Sequence, residues 1–193
     1  MNLVFGLGTT GWILLIVGAV LLLVIMWYIG VMNQLRQLEV KVEEAESGID
    51  VALTKRFDAL TKMLETTKGY AKHEAETLEK VIKWRNGIPS DATLAQKQEF
   101  ASSLAKVANG INVVVEQYPD LKANTMFGNL QNAIMDTEEH LQAARRLYNA
   151  NVRSINHIIV TFPQSIVANA IKMEKKEFFE AEEAKKQDVK MNF

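Results

Sequence analysis

Apolar side chains recur at alternating steps of three and four residues along three stretches of the chain. Such steps keep side chains on one face of a helix, and that face must be covered by other helices. Polar residues interrupt these coiled-coil-like stripes, so an antiparallel bundle of long helices fits better than a dimeric zipper. The stripes are Phe57, Leu60, Leu64, Thr67, Ala71, Glu74, Leu78 and Val81; Phe100, Leu104, Val107, Ile111, Val114 and Tyr118; and Phe127, Leu130, Ile134, Thr137, Leu141, Ala144, Tyr148, Asn151, Ile155, Ile158 and Phe162.

A different pattern precedes the stripes, because residues 11–32 are almost entirely apolar and the first charged side chain is Arg36. As a helix, this run crosses a hydrocarbon core of about 30 Å. Trp12 near one end, with Trp27 and Tyr28 near the other, suits the two membrane interfaces. A cleaved signal peptide is disfavoured because the run is long and lacks a basic leader. A buried core helix is disfavoured because no other segment is apolar enough to surround it. We predict a membrane anchor over residues 1–32.

Breaks between the stripes give the element boundaries. The motif NGIPSDAT (86–93) has loop chemistry, and Asp91 or Thr93 can cap the next helix. The motif TFPQS (161–165) ends the third stripe, because the residue before Pro163 disfavours the α conformation. We therefore predict helices at about 11–86, 94–117, 125–160 and 165–187. The fold class is all-α: a single N-terminal transmembrane helix continues into an antiparallel bundle of three long helices and one shorter C-terminal helix. The bundle domain covers 33–187, and 188–193 is a tail.

The stretch YPDLKAN (118–124) joins the second and third stripes. Tyr118 is expected to complete the apolar stripe, Pro119 and Asp120 suit the first turn of a helix, and Asn124 can cap the helix that follows. We interpret this stretch as a tight corner between helices, and a polar recognition loop is the alternative.

Several motifs in the same order resemble the LemA family of bacterial membrane-anchored helical proteins. They are IDVALTKRFDALTKMLETTKGYAKHE (49–74), YPDLKAN, TEEHLQAARRLYNANVRSINHIIVTFP (137–163) and FFEAEE (178–183). The resemblance implies a bacterial inner-membrane protein with one span, a helical bundle and no generally assigned enzymatic activity. It also implies links to membrane shaping, membrane-protein quality control or envelope stress. The structural-motif residues taken from this likeness and the corner are Tyr118, Pro119, Asp120, Asn124, Arg145, Arg146, Tyr148, Asn149, Phe162 and Pro163.

Candidate catalytic and metal-binding residues are scattered. The chain has no cysteine and three histidines, and the His-Glu pair at 73–74 lacks a second histidine four residues after the first. Asp136 and His140 could form half of a metal site, but surface positions are the more common interpretation. Ser47 and Ser165 have no adjacent histidine to activate them. We expect no enzymatic activity, cofactor, metal or small-molecule substrate. The net charge of −1, with interleaved signs, predicts no nucleic-acid partner.

Charged residues beside the stripes could form ion pairs between helices, with ordinary solvated faces as the alternative. These residues are Asp50, Lys55, Arg56, Asp58, Lys68, Glu138, Arg145 and Arg146. A specific hypothesis places Arg145 against Glu74. Arg36 and Lys41 follow the span, so the positive-inside tendency favours a cytoplasmic bundle over the opposite orientation.

These features favour a membrane-anchored, non-enzymatic scaffold that contacts lipid, self-associates and organises or shapes membrane or membrane-protein assemblies. The alternative is an adaptor or sensor subunit for a membrane protease or signalling protein, which implies a membrane-protein partner. A third hypothesis is membrane remodelling by an amphipathic C-terminal helix over residues 166–186.

Overall fold

The computed structural model describes residues 8–67, 89, 92–118 and 124–179. Its helices are α1 (Thr9–Thr67), α2 (Leu94–Gln117), α3 (Thr125–Val160) and α4 (Gln164–Ala170). The predicted all-α class is confirmed, and no strand occurs in the described ranges. The chain forms two compact units, one of Met1–Lys41 with Asn151–Lys176 and one of Val42–Ala150 with Glu177–Phe193. The predicted continuation of the first helix to residue 86 lies outside the described residues beyond Thr67.

The first unit packs the C-terminal end of α3 and the short α4 against α1. Asn151 Nδ2 donates a 2.9 Å hydrogen bond to the Lys41 carbonyl, which joins the two long helices. The buried side chains of this unit are Val31 and Leu35 from α1, Val152, Ile155 and Ile159 from α3, and Val167 and Ala168 from α4. Burial on α1 therefore begins at Val31, and the large apolar side chains before it remain uncovered.

The second unit has the larger core, built from α1, α2 and α3. Phe57 and Phe100 contribute a tilted ring pair with centroids 5.9 Å apart. Its buried side chains recur at steps of three or four residues and at sums of these steps, as expected of helices packed along their length. They include Ile49, Leu53, Leu60 and Met63 from α1, Phe100, Leu104, Val107 and Ile111 from α2, and Phe127, Leu141 and Tyr148 from α3.

The helix starts follow local chemistry. Thr93 caps α2 in a reciprocal capping box with Gln96, which is one of the two caps predicted for this helix. Asn124 Oδ1 accepts a 2.9 Å bond from the Met126 amide at the start of α3. α3 ends at Val160, ahead of Pro163, as the sequence predicts.

The ends of two stripes were placed wrongly. Tyr118 was expected to complete the second stripe, but it lies at the C-cap of α2 and is 39% exposed. Phe162 was expected to complete the third stripe, but it is 77% exposed. A straight helix drifts relative to a strict heptad, and the buried positions after Tyr148 accordingly become Val152, Ile155 and Ile159. Pro119 and Asp120 lie outside the described residues.

The predicted C-terminal helix over 165–187 is wrong from residue 171 to 179. α4 ends at Ala170, Lys172 adopts a left-handed conformation with φ of 54°, and the Met173 amide bonds back to the Ala168 carbonyl. This closing turn is typical of a helix C-terminus. Residues 173–179 then continue without helical structure, and we call them the C-terminal segment. The remodelling hypothesis therefore loses its helix over nine of its residues.

Candidate functional site

The exposed apolar surface of α1 is the most prominent feature of the described residues. Trp12 and Trp27 are exposed and Tyr28 is half-buried, and every large aliphatic side chain from 13 to 26 is exposed. Among the described residues, α1 is the one helix that is long and apolar enough to cross a membrane. None of the most apolar stretch of α1 is buried. An apolar surface of this size marks a membrane or protein contact. The helix fits a single-pass membrane anchor.

A buried cation joins α2 to α1 in the second unit. The Lys97 side chain is 5% exposed, and its Nζ lies 2.8 Å from both Glu46 Oε1 and Asp50 Oδ2. Burial alone would lower the pKa of Lys97, but the hydrogen bonds from its ammonium to Asp50 and Glu46 outweigh it and raise that pKa. Sequence reasoning missed Lys97. The available signal was its position three residues before Phe100, on the extrapolated apolar stripe of α2.

A second ion pair joins α1 to α3 in the same unit. Arg56 is buried, and its Nη2 lies 2.7 Å from Glu138 Oε2. With Asp50, which pairs with Lys97, three of the residues predicted to pair between helices therefore do so. A partly open cavity of about 420 Å³ adjoins the pair. Its polar lining comes from Arg56, Asn109, Glu138, Glu139 and Arg145, and its apolar lining from Ala105, Ala108, Ile134 and Met135. Because the lining has two guanidinium groups and two carboxylates, the site has no strong excess of one charge.

The C-terminal segment is held in the second unit by side chains that bond its backbone. Asn149 Oδ1 accepts from the Phe179 amide at 2.8 Å, and Asn149 Nδ2 donates to the Phe179 carbonyl at 3.0 Å. The Phe179 side chain is buried, with the Arg145 guanidinium 4.9 Å from its ring centroid. Tyr148 Oη donates to the Glu177 carbonyl at 3.0 Å. Burial, with the charges of Glu46 and Glu177, raises the pKa of Tyr148 to about 12.

In the first unit, an asparagine side chain holds the backbone of another residue of the C-terminal segment in the same way. Asn156 exchanges two 2.8 Å bonds with the backbone of Lys176, whose Nζ reaches Glu39 Oε1 at 3.2 Å. Partial burial would raise the pKa of Glu39, but the hydrogen bonds from Arg36 and Lys176 outweigh it and lower that pKa. Sequence reasoning did not single out Asn156, whose signal was its position seven residues after Asn149.

The remaining sequence-predicted residues do not converge on one site. Arg146 is exposed, Arg145 is half-buried at the edge of the cavity, and Glu74, its hypothesised partner, lies outside the described residues. Asp136 and His140 are both exposed. No group of three metal-ligating side chains occurs among the residues that the structure describes.

The described residues define a class of protein: an all-helical chain with one N-terminal helix that is long and apolar enough to cross a membrane. The LemA family model matches residues 45–193. The chain is also 31% identical over 163 residues to Protein LemA of Metamycoplasma hominis, an alignment that covers 84% of this chain and 74% of that protein. The chain therefore belongs to the LemA family. The matched region begins after the apolar part of α1, so the case for an anchor depends on this chain's own residues.

Proposed function

We propose that this protein is a single-pass scaffold of the bacterial inner membrane that acts by contact and not by catalysis. The observation that carries the proposal is the uncovered apolar surface of α1 before Val31. About 20 residues of such helix span a bilayer, and water is a poor solvent for them. The buried charges of the second unit support the non-enzymatic part, because Lys97 and Arg56 form ion pairs between helices.

Membrane fractionation tests the anchor. The full chain is expected to stay in the membrane pellet after alkaline carbonate extraction. Replacing Ile16 and Leu22 by arginine should add about 5–7 kcal/mol to the cost of insertion and move the protein to the supernatant. Leu147→Arg, at an equally exposed apolar position outside the span, is the matched control and should remain in the pellet. Wild-type protein in the supernatant would contradict the anchor.

Self-association is the second part of the proposal. Gly11 and Gly18 are seven residues apart, so they lie on one face of α1, and a Cβ added at Gly18 would have no atom within 4 Å apart from the adjoining residues of its own helix. Small residues on one face let transmembrane helices approach closely. Native mass measurement in nanodiscs should show an oligomer that Gly18→Leu weakens. A monomer of 21.7 kDa at every concentration would overturn this part.

Orientation and partners have their own test. The positive-inside tendency supports a cytoplasmic domain, since Arg36 and Lys41 follow the span. A reporter fused after residue 193 that is active only in the periplasm should therefore be inactive. Crosslinking in native membranes should recover mainly copies of this chain. Stoichiometric recovery of a different membrane protein would instead favour the adaptor or sensor function.

A further inference from the structure

The turn between α3 and α4 carries a cluster of exposed apolar side chains. We call residues 160–166 the tip. Val160 is 54% exposed, Phe162 77% and Ile166 56%. Scattered exposed apolar residues are common, but three within seven residues, one of them a nearly uncovered phenylalanine, form a patch.

The tip also lies within a segment without charge. From Ile158 to Ile171 the sequence IIVTFPQSIVANAI contains no Lys, Arg, Asp or Glu. Lys172 follows this segment directly. A surface that is both apolar and free of charge suits an environment less polar than water.

Helix geometry places the tip beside the end of the predicted span. In the first unit α3 runs antiparallel to α1, with Asn151 bonded to the carbonyl of Lys41 and Val152, Ile155 and Ile159 buried. Val160, the last residue of α3 and the first of the tip, is nine residues beyond Asn151, which is about 14 Å at 1.5 Å per residue. The same distance back along α1 from Lys41 reaches Met32, the last residue of the predicted span, about one helical turn from the predicted interface residue Tyr28.

We propose that the tip is a second membrane contact, inserted at the lipid headgroup level of the leaflet where α1 leaves the bilayer. This inference rests on the proposed membrane anchor. Aromatic and aliphatic side chains at that depth bury apolar surface while the neighbouring Thr161 and Ser165 stay among polar headgroups. Two contacts, α1 and the tip, fix the first unit's tilt relative to the membrane, which a single helix cannot do.

Depth measurement tests the proposal in the full chain, whose lack of cysteine allows single-cysteine labelling. Phe162→Cys, Val40→Cys and Leu22→Cys are each labelled with an environment-sensitive fluorophore in phosphatidylcholine–phosphatidylglycerol vesicles. Val40 is the matched control, because it is a 60% exposed apolar residue of the same unit and lies about 12 Å farther along α1 than Met32, away from the predicted span. Unchanged helical circular dichroism confirms that the labelled chains are folded.

The expected result is a blue-shifted emission at position 162 and a loss of intensity with headgroup-level nitroxide lipids well above that at position 40. Position 22 should respond to deep nitroxides. If position 162 behaves like position 40 while position 22 is still quenched, the tip proposal is overturned and the anchor stands. If position 22 is also unquenched, the anchor and the tip proposal both fail.

Discussion

Replacing Lys97 tests whether the buried cation stabilises the second unit. Lys97→Met keeps a stem of similar length and removes the charge. Hydrogen bonds to charged groups are each worth about 1.5–3 kcal/mol net, but Glu46 and Asp50 are each about a third exposed and can recover hydration. The buried ammonium also pays a desolvation cost that methionine avoids. We expect a loss of about 2 kcal/mol in the free energy of unfolding.

Lys97→Ala separates packing from charge. Alanine removes three further methylenes from a side chain that is 5% exposed, at about 0.8 kcal/mol each. The total loss should therefore be about 4 kcal/mol. Urea unfolding of the full chain in detergent micelles, followed by helical circular dichroism, measures both variants. A methionine variant within about 0.5 kcal/mol of wild type would refute the stabilising role of the ion pairs, and equal losses in the two variants would refute the packing contribution.

The pH dependence of the methionine effect has a definite sign. The pKa of Lys97 is raised by folding, so its stabilisation is fully present below the ordinary lysine pKa of about 10.4 and is lost as pH rises through the higher folded pKa. The difference between wild type and Lys97→Met should be constant near neutral pH and shrink only in strong alkali. Tyr148, with a pKa of about 12, titrates in both proteins, so its contribution largely cancels in the comparison.

Three further substitutions, one of them with a control variant, test the C-terminal segment and the helix ends. Phe179→Ala should lower the free energy of unfolding by about 3 kcal/mol and speed amide exchange in the C-terminal segment. The control Phe178→Ala, at a 44% exposed position, should cost less than about 1 kcal/mol. Equal losses in the two variants would contradict the idea that the buried Phe179 ring holds the segment in place. Lys172→Gly should raise stability by up to about 1 kcal/mol, because it relieves a left-handed conformation, and a lower melting temperature would contradict this. Thr93→Ala should cost about 1 kcal/mol through the lost cap, and an unchanged melting temperature would argue against it.

Features governed by neighbouring residues could be predicted from the sequence. The helical period, the cap at Thr93 and the end of α3 before Pro163 each depend on interactions within a few residues. The apolar N-terminal helix could be predicted equally well, because its composition alone distinguishes it from the rest of the chain. These elements account for the all-α class, and they agree with the chain's membership of the LemA family.

The rest depends on contacts between distant residues. Periodicity shows which face of a helix is apolar, but not where the neighbouring helices that bury this face end. The prediction that Tyr118 and Phe162 are buried was therefore wrong. Lys97 is a charged residue at a stripe position where the pattern predicts an apolar one. Its burial is explained only by the carboxylates of Glu46 and Asp50 on α1, which are distant in the sequence. The charge-rich sequence after residue 170 predicts a helix. The closing turn at Lys172 and the hydrogen bonds from α3 to the backbone of the C-terminal segment override that local preference.

The asparagines explain how the C-terminal segment can lack regular structure and still be ordered. An unstructured backbone has amides and carbonyls that must find partners when they leave water. An asparagine side chain carries both a donor and an acceptor, so Asn156 satisfies both backbone groups of Lys176, and Asn149 satisfies both of Phe179. Such bonds recognise the backbone and not the side chain. The choice of which residue is held at Asn149 must then come from the buried Phe179 ring and the Arg145 guanidinium over it, because those are the contacts that a different side chain would lose.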